Sequence, residues 1–156
     1  MAMVRLRFFV AFLLSLCLLS LSIQATDVHY CNKKTKYAVE VSGVDISPDP
    51  IARGEPATFN ISASAGEAIS GGRLIIEVSY FGFHIHTESH DLCAETTCPV
   101  SAGDFVISHS QVLPGFTPPG PYTLVMKMED GNNHQLTCIT FDFSIGFIAS
   151  KAVADI

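Results

Sequence analysis

The alternation of apolar and polar residues in short runs is the feature that most constrains the fold of this chain. In residues 73–80 the apolar side chains fall mainly on even positions, and in residues 57–62 Phe59 and Ile61 alternate with polar neighbours. A period of two places alternate side chains on opposite faces of a β-strand. The runs are rich in β-branched and aromatic residues and are separated by Gly, Pro, Asn or Asp. The pattern predicts an all-β antiparallel sandwich or barrel of about seven strands.

The N-terminal segment, residues 1–25, is typical of a secretory signal peptide. Two arginines precede an apolar run over residues 8–21, and small or polar residues follow up to a cleavage position at Ala25. The alternative is a retained membrane anchor, because the run approaches the length of a short spanning helix. We expect cleavage and a destination on the secretory pathway, in the extracellular space, the apoplast or a vacuole. Residues 27–147 are then one domain, and residues 148–156 are a short tail.

The charge of the mature chain argues against nucleic-acid binding. The sequence has nine Lys and Arg against fifteen Asp and Glu, and two of the arginines, Arg5 and Arg7, lie in the predicted signal peptide. The remaining chain therefore carries about eight net negative charges. A nucleic-acid binder would instead present a basic patch.

Four cysteines remain after signal cleavage, which in a secreted chain indicates two disulfides. Four cysteines allow three pairings. The spacing favours Cys93 with Cys98, which would close a small loop, and Cys31 with Cys138, which would join the start of the domain to its last strand.

The segment FGFHIHTESHD, residues 81–91, contains three of the six histidines. A His-x-His pair on a strand places two imidazoles on one side, where a metal could bind, but a third ligand is needed. His109 and His134 lie elsewhere, and nothing in the sequence requires them to converge. We therefore favour surface or rim histidines over a pH-sensing role or a metalloenzyme site, and expect no metal. Gly82 is a natural place for a bulge or bend, which would turn Phe83 and Ile85 inward and place His84 and His86 on the outer face or at the rim.

Other motifs indicate one modification site and no catalytic site. Asn60 begins an N-glycosylation sequon, and its parity places it on the solvent face opposite Phe59 and Ile61. We find no nucleophile elbow and no phosphate-binding glycine loop. The expectation is a protein that is not an enzyme and has no cofactor.

The arrangement of these segments resembles the ML (MD-2-related lipid-recognition) family. The resemblance rests on the order of DVHYC, the LIIEVSYFGF strand, the DLCAETTCPV loop, the Pro-rich turn before Tyr122 and LTCITFDFSI. It covers roughly residues 27–147 and is nearest to the plant and fungal phosphatidylglycerol/phosphatidylinositol transfer members. The family also includes the soluble Niemann-Pick type C sterol carrier. The sterol preference is not carried over, because this chain lacks that protein's early disulfide and has FHIHT where its cavity mouth has prolines.

The resemblance implies an immunoglobulin-like two-sheet sandwich with an internal apolar cavity, and the pairings Cys31–Cys138 and Cys93–Cys98. It implies a secreted, monomeric lipid carrier for a phospholipid, a sterol or a fatty acid, with transient membrane contact and a membrane protein as a possible acceptor. The sequence has eleven Phe and four Met, of which three Phe and two Met lie in the predicted signal peptide, and no Trp; the remainder give an adaptable apolar interior. The expected cavity residues lie on the inward strand faces: Phe59, Ile61, Leu74, Ile76, Val78, Tyr80, Phe83, Ile85, Phe105, Ile107, Phe116, Leu124, Met126, Met128, Ile139, Phe141, Phe143 and Ile145.

Two further functional expectations complete the sequence analysis. Lys36 and Lys127 are candidates for contact with a lipid head group. The alternative to a lipid carrier is an extracellular protein-interaction module with a filled interior. A histidine-based metalloenzyme is the least favoured hypothesis. The volume of the space between the sheets distinguishes the first two.

Overall fold

The structure is a computed structural model that describes residues 26–147. The predicted signal peptide and the predicted tail lie outside the described residues. Eight strands and one short helix make up the described chain. They are β1 (Val28–Tyr30), β2 (Val39–Ser47), β3 (Pro56–Ala65), β4 (Gly72–Tyr80), β5 (Phe83–Asp91), α1 (Leu92–Glu95), β6 (Gly103–Val112), β7 (Gly120–Asp130) and β8 (Gln135–Ile145).

The strands form two antiparallel sheets packed face to face, which confirms the predicted sandwich. The larger sheet has the order β1-β8-β7-β4-β5, and the smaller sheet has the order β2-β3-β6. The count is eight strands rather than about seven, because the three residues before Cys31 also pair with β8. No helix in residues 26–147 is long and apolar enough to cross a membrane.

The alternation seen in the sequence becomes the core between the sheets. Leu74 and Ile76 of β4 face Ile107 of β6 and Phe59 and Ile61 of β3 across the interior, and all five are buried. Asn60 lies on the outer face of β3 at intermediate exposure, as its parity predicts. Close packing of such residues is the main source of stability in a sandwich of this size.

One side of the sandwich is joined by backbone hydrogen bonds between the sheets. In the β2–β3 loop, the Ile51 amide donates to the Ser144 carbonyl and the Gly146 amide donates to the Ile51 carbonyl, both at 2.8 Å. Thr26, before β1, bridges to Val44 of β2. These contacts hold β8 and β1 of the larger sheet against β2 of the smaller sheet. The opposite side is formed by β5 and β6, which are the edge strands of their sheets.

Both predicted disulfides are present. Cys31 and Cys138 join the end of β1 to β8, with 5.5 Å between their Cα atoms. Cys93, in α1, is joined to Cys98, three residues after the helix, with 5.3 Å between their Cα atoms. The Thr96 hydroxyl donates to the Val106 carbonyl at 2.8 Å, so the small loop is also attached to β6.

The bulge or bend predicted at Gly82 is instead a full chain reversal, because residues 81 and 82 form the turn of a hairpin. Phe81 and Gly82 have φ of 49° and 78°, and Tyr80 pairs with Phe83 across the turn. A two-residue turn with positive φ at both positions is the usual connection of a tight hairpin. The register shift comes after the turn, where Ser79 pairs with His84 and Val78 pairs with His86.

The turn between β7 and β8 is organised by one carboxylate. Asp130 accepts hydrogen bonds from the backbone amides of Asn132 and His134, at 2.8 and 2.9 Å, and from the His134 ring at 3.2 Å. The bond from the His134 amide is the largest of the causes that lower the pKa of this carboxyl below its usual value. Hydrogen bonds to the charged form favour ionisation, so the turn is held by an ionised carboxylate.

Gly72 at the start of β4 provides a test of the strand pairing. Its φ is +155°, and a Cβ there would overlap the carbonyl oxygen of Glu129 on β7. We expect Gly72→Ala to lower the free energy of unfolding by about 2–3 kcal/mol, through strain and loss of the β4–β7 pairing at that end. The measurement is urea denaturation. Gly43→Ala is the matched control, because a Cβ at Gly43 in β2 meets nothing within 4 Å. An equal loss of stability in both variants would contradict the prediction.

Candidate functional site

A cavity of about 320 Å³ lies between the sheets at the end where β4 turns into β5 and β6 leads into residues 113–119. Both sheets contribute to its wall. The lining residues are Phe59, Ile76, Val78, Ile85, His86, Glu88, His109, Gln111, Leu113, Pro114, Thr117, Tyr122, Leu124, Phe143 and Ile145. Most of these side chains are apolar, and the cavity is open to solvent at its mouth.

The space between the sheets closes below this cavity. A void of about 10 Å³ remains beside Phe59, Ile61 and Leu74, which is too small to hold a ligand group. Deeper still, Ile107, Met128 and Ile139 are fully buried. The structure therefore has a filled core over most of its length and an open apolar cavity at one end.

Aromatic side chains form the floor of the cavity. Tyr122 stacks on Phe143 with ring centres 5.4 Å apart, and Phe143 meets Phe59 of the other sheet edge to face at 5.7 Å. Tyr80 packs beside Tyr122 at 4.6 Å. Aromatic pairs in these geometries add to the stability gained from burial. The contacts fix the spacing of the two sheets at the cavity.

Two tyrosine hydroxyls hold the Pro-rich loop over the cavity. Tyr122 donates to the Pro118 carbonyl at 2.7 Å, and Tyr80 donates to the Pro119 carbonyl at 3.1 Å. Burial, and to a lesser extent the neighbouring Tyr80, raises the pKa of the Tyr122 phenol above its usual value. The phenol therefore stays protonated and keeps donating over the physiological pH range.

One side of the cavity is polar. His86 and Glu88 of β5, with His109 and Gln111 of β6, face the cavity where the two edge strands approach each other. His109 is 5% exposed, although it is a polar residue. A molecule in the cavity thus meets a largely apolar wall, with hydrogen-bonding groups along the edge formed by β5 and β6.

The structure separates the eighteen cavity residues predicted from the sequence into three groups. Seven line the cavity: Phe59, Ile76, Val78, Ile85, Leu124, Phe143 and Ile145. Seven others lie deeper, beside the small void or in the filled core: Ile61, Leu74, Met126, Phe141, Ile107, Met128 and Ile139. The last four lie outside the cavity wall: Tyr80 and Phe105, which are partly buried, and Phe83 and Phe116, which are exposed.

The predicted orientation of the histidine segment is partly wrong. Phe83 does not face inward, because it is 76% exposed beside the hairpin turn. Ile85 reaches the cavity, and so does His86, which was predicted to lie on the outer face or at the rim and whose side chain is 58% exposed. The register shift explains this, because it makes Ile85 the extra residue between two paired positions and places His86 opposite inward-facing Val78.

The predicted head-group lysines lie away from the cavity. Lys127 is on the outer face of the larger sheet, where its amine lies 2.6 Å from a Glu77 carboxylate oxygen. Lys36 is exposed in the segment before β2. Neither is among the residues that line the cavity.

Several lining residues were missed by the sequence analysis. Tyr122 and His109 continue the inward parity of Leu124 and Ile107 along their strands, so the alternation contains the signal for both. Glu88 shares the parity of His86 on β5. Leu113, Pro114 and Thr117 belong to an irregular loop, and no local pattern predicts where such residues point.

The rim of the mouth has exposed apolar side chains. Phe116, between two lining residues of the loop, is 87% exposed, and Ile85 is 53% exposed. Large exposed apolar side chains beside a cavity indicate a surface that meets another apolar phase or a partner.

Relatives with known names match most of the described chain. A Dictyostelium discoideum protein named for phosphatidylglycerol/phosphatidylinositol transfer is 33% identical over 117 residues, which cover 72% of this chain and 81% of that protein. The MD-2-related lipid-recognition protein ROSY1 of Arabidopsis thaliana is 30% identical over 118 residues, covering 71% of this chain and 72% of ROSY1.

The fold is also similar to that of a solved structure. The crystal structure of a Niemann-Pick type C2 protein from Japanese carpenter ant superposes with a TM-score of 0.62 at 12% identity, covering 77% of this chain and 99% of that one. The family model of the ML domain matches residues 25–145. The match of residues, relatives and fold shows that this chain belongs to the ML-domain family.

Proposed function

We propose that this protein is a secreted lipid carrier that holds the apolar part of a phospholipid in the cavity between its sheets. The observation that carries the proposal is the open, largely apolar cavity of about 320 Å³ at one end of an otherwise filled sandwich. An extracellular interaction module with no ligand would not need to leave this space. The volume is at the lower end of the range for small-molecule sites, about 300–1,000 Å³.

Burial of methylene groups supplies the binding energy in this proposal. Each methylene moved from water to an apolar environment gains about 0.8 kcal/mol. About ten methylenes of an acyl chain would therefore gain roughly 8 kcal/mol, which corresponds to micromolar affinity before the costs of immobilisation. No covalent chemistry is needed for such a carrier to act.

The polar side of the cavity orients the ligand. Gln111 and Thr117 offer hydrogen bonds near the mouth, while Leu124 and Phe143 form the apolar floor. An amphiphile would place its chain against the floor and its head group toward the mouth. Relatives named for phosphatidylglycerol/phosphatidylinositol transfer support a phospholipid as the ligand class.

The exposed rim suits transient contact with a membrane. Phe116 and Ile85 lie beside the opening through which a lipid would enter. Apolar side chains that insert into a bilayer surface would shorten the distance over which an acyl chain is exposed to water during transfer. This step affects the rate of transfer and not the affinity for the lipid.

The first prediction of the proposed function concerns the cavity volume. Val78→Trp adds a large side chain at a partly buried position in the cavity wall. We expect at least a tenfold loss of phospholipid binding, because the new side chain occupies the space of several methylenes at about 0.8 kcal/mol each. The measurement is titration of delipidated protein with a fluorescent phosphatidylglycerol or phosphatidylinositol.

The control for this experiment is Val106→Trp. Val106 lies on the outer face of β6 and is 50% exposed, so the same substitution leaves the cavity unchanged. Circular dichroism establishes that both variants are folded. Uptake of no phospholipid, sterol or fatty acid by folded, delipidated wild-type protein would refute the proposed function.

The second prediction separates transfer from binding. We expect Phe116→Ser to slow lipid transfer between vesicles severalfold, because the rim loses its most exposed apolar side chain, and to leave equilibrium binding within twofold of wild type. Fluorescence dequenching between donor and acceptor vesicles measures the rate. Val106→Ser removes a smaller exposed apolar group away from the mouth and is expected to transfer normally. Identical rates for all three proteins would show that the rim does not contact the membrane.

A further inference from the structure

Four ionisable side chains converge where the edge strands β5 and β6 meet α1, and we name them the histidine–glutamate cluster. The cluster consists of Glu88 and His90 of β5, Glu95 of α1 and His109 of β6. Their side chains are 20%, 29%, 11% and 6% exposed, in that order. Two carboxylates in so enclosed a place require compensation by positive charge.

The pairing within the cluster assigns different roles to the two carboxylates. Glu95 lies on the Nδ1 side of both rings, with an oxygen 3.2 Å from His109 Nδ1 and another 3.6 Å from His90 Nδ1. Glu88 lies on the Nε2 side of both rings, with the same Oε1 atom 3.3 Å from His109 Nε2 and 3.4 Å from His90 Nε2.

When the imidazoles are neutral, this arrangement leaves hydrogen-bond acceptors of Glu88 and the two histidines facing each other. An ionised carboxylate only accepts hydrogen bonds, so His109 donates from Nδ1 to Glu95. In the neutral imidazole the Nε2 atom then carries a lone pair, and it points at the Glu88 carboxylate oxygen. His90 Nε2 is buried and makes no hydrogen bond, although Glu88 Oε1 lies 3.4 Å away. A cation between these three atoms would satisfy all of them.

We infer that Glu88, His90 and His109 form a site for a divalent transition metal of the Zn²⁺ class. One ligand atom from each of the three residues lies within 4.8 Å of the other two. Adjacent ligands of a tetrahedral zinc site with bonds of about 2.0–2.1 Å are about 3.3–3.4 Å apart. Both contacts to Glu88 Oε1 have this length. Two imidazoles and one carboxylate are a known ligand set for zinc, which leaves a fourth position open.

Glu95 acts as a positioning residue in this site. Metal-bound histidines usually donate their other ring N–H to a carboxylate or carbonyl, which fixes the tautomer and the orientation of the ring. Glu95 supplies that partner on the far side of both rings from Glu88. The position of Glu95 is fixed in turn, because the Cys93–Cys98 disulfide closes its loop and buried Leu92 anchors the start of α1.

The charge balance also favours a divalent ion. With both histidines neutral, the cluster has a charge of −2 from Glu88 and Glu95. No Lys or Arg of the described residues makes an ion pair with either carboxylate; the side chains that contact them are His86, His90 and His109. A divalent cation would bring the cluster to neutrality. The inference does not rest on the proposed lipid function, because the metal alone can be measured on protein without lipid.

The test is zinc binding by full-length mature protein that has been stripped of metal with a chelator. We expect isothermal titration with Zn²⁺ to give one site per chain. We expect Co²⁺ to give the intense visible absorption of a tetrahedral site. Glu88→Gln and His109→Asn are each expected to abolish stoichiometric binding. Glu88→Gln conserves the shape of a partly exposed side chain, so it tests the site if His109→Asn fails to fold.

Two further variants make the result specific. His134→Asn is the matched control, because His134 pairs with Asp130 in the β7–β8 turn and its side chain is 77% exposed. We expect this variant to bind zinc like wild type. Glu95→Gln is expected to weaken zinc binding about 10–100-fold while keeping the tetrahedral Co²⁺ spectrum.

The inference is overturned by either of two outcomes. One is the absence of stoichiometric Zn²⁺ binding by folded wild-type protein. The other is wild-type zinc affinity in Glu88→Gln, which would mean that the metal binds to exposed histidines such as His84 and His86 instead of the cluster. Neither outcome bears on lipid uptake, so failure of this inference and failure of the proposed function are distinguishable.

Discussion

The cavity depends on an unequal attachment of the two sheets. On one side, backbone hydrogen bonds through Ile51 and the Thr26–Val44 bridge join the larger sheet to the smaller one. On the other side, β5 and β6 are edge strands, each paired by its ladder to a neighbour in its own sheet. A sandwich held in this way can be closely packed along the joined side and open at the mouth.

The aromatic floor makes this opening a fixed feature. Phe59 and Phe143 meet from opposite sheets, and the hydroxyls of Tyr80 and Tyr122 hold the Pro-rich loop by its carbonyls. Aromatic rings have few rotatable bonds and cannot collapse into the space as leucine or methionine could. A cavity that is already formed spares the ligand the cost of opening it.

The β-sandwich and most of the inward-facing residues of its strands could be predicted from the sequence, because alternation within a strand is a local signal. Leu74, Ile76 and Leu124 follow directly from it. The hairpin at Phe81 and Gly82 was misread as a bulge, because Phe-Gly lacks the Asn or Asp that usually marks such a turn. The register shift after the turn pairs His86 with Val78 and so brings His86 to the cavity, since a shift of one residue exchanges the faces of a strand. The alternation in β4 therefore does not predict which residues of β5 face inward.

The convergence of His109 with Glu88 and His90 could not be predicted in the same way. It joins edge strands of different sheets, and no spacing along the chain encodes which edges face each other. Glu95 brings a third element, α1, to the cluster. It lies in the six-residue loop closed by the Cys93–Cys98 disulfide, and the burial of Leu92 orients that loop. These four side chains take the place of the backbone hydrogen bonds that β5 and β6 do not share. A cation bound by Glu88, His90 and His109, as inferred above, would join β5 of the larger sheet to β6 of the smaller sheet beside the mouth of the cavity.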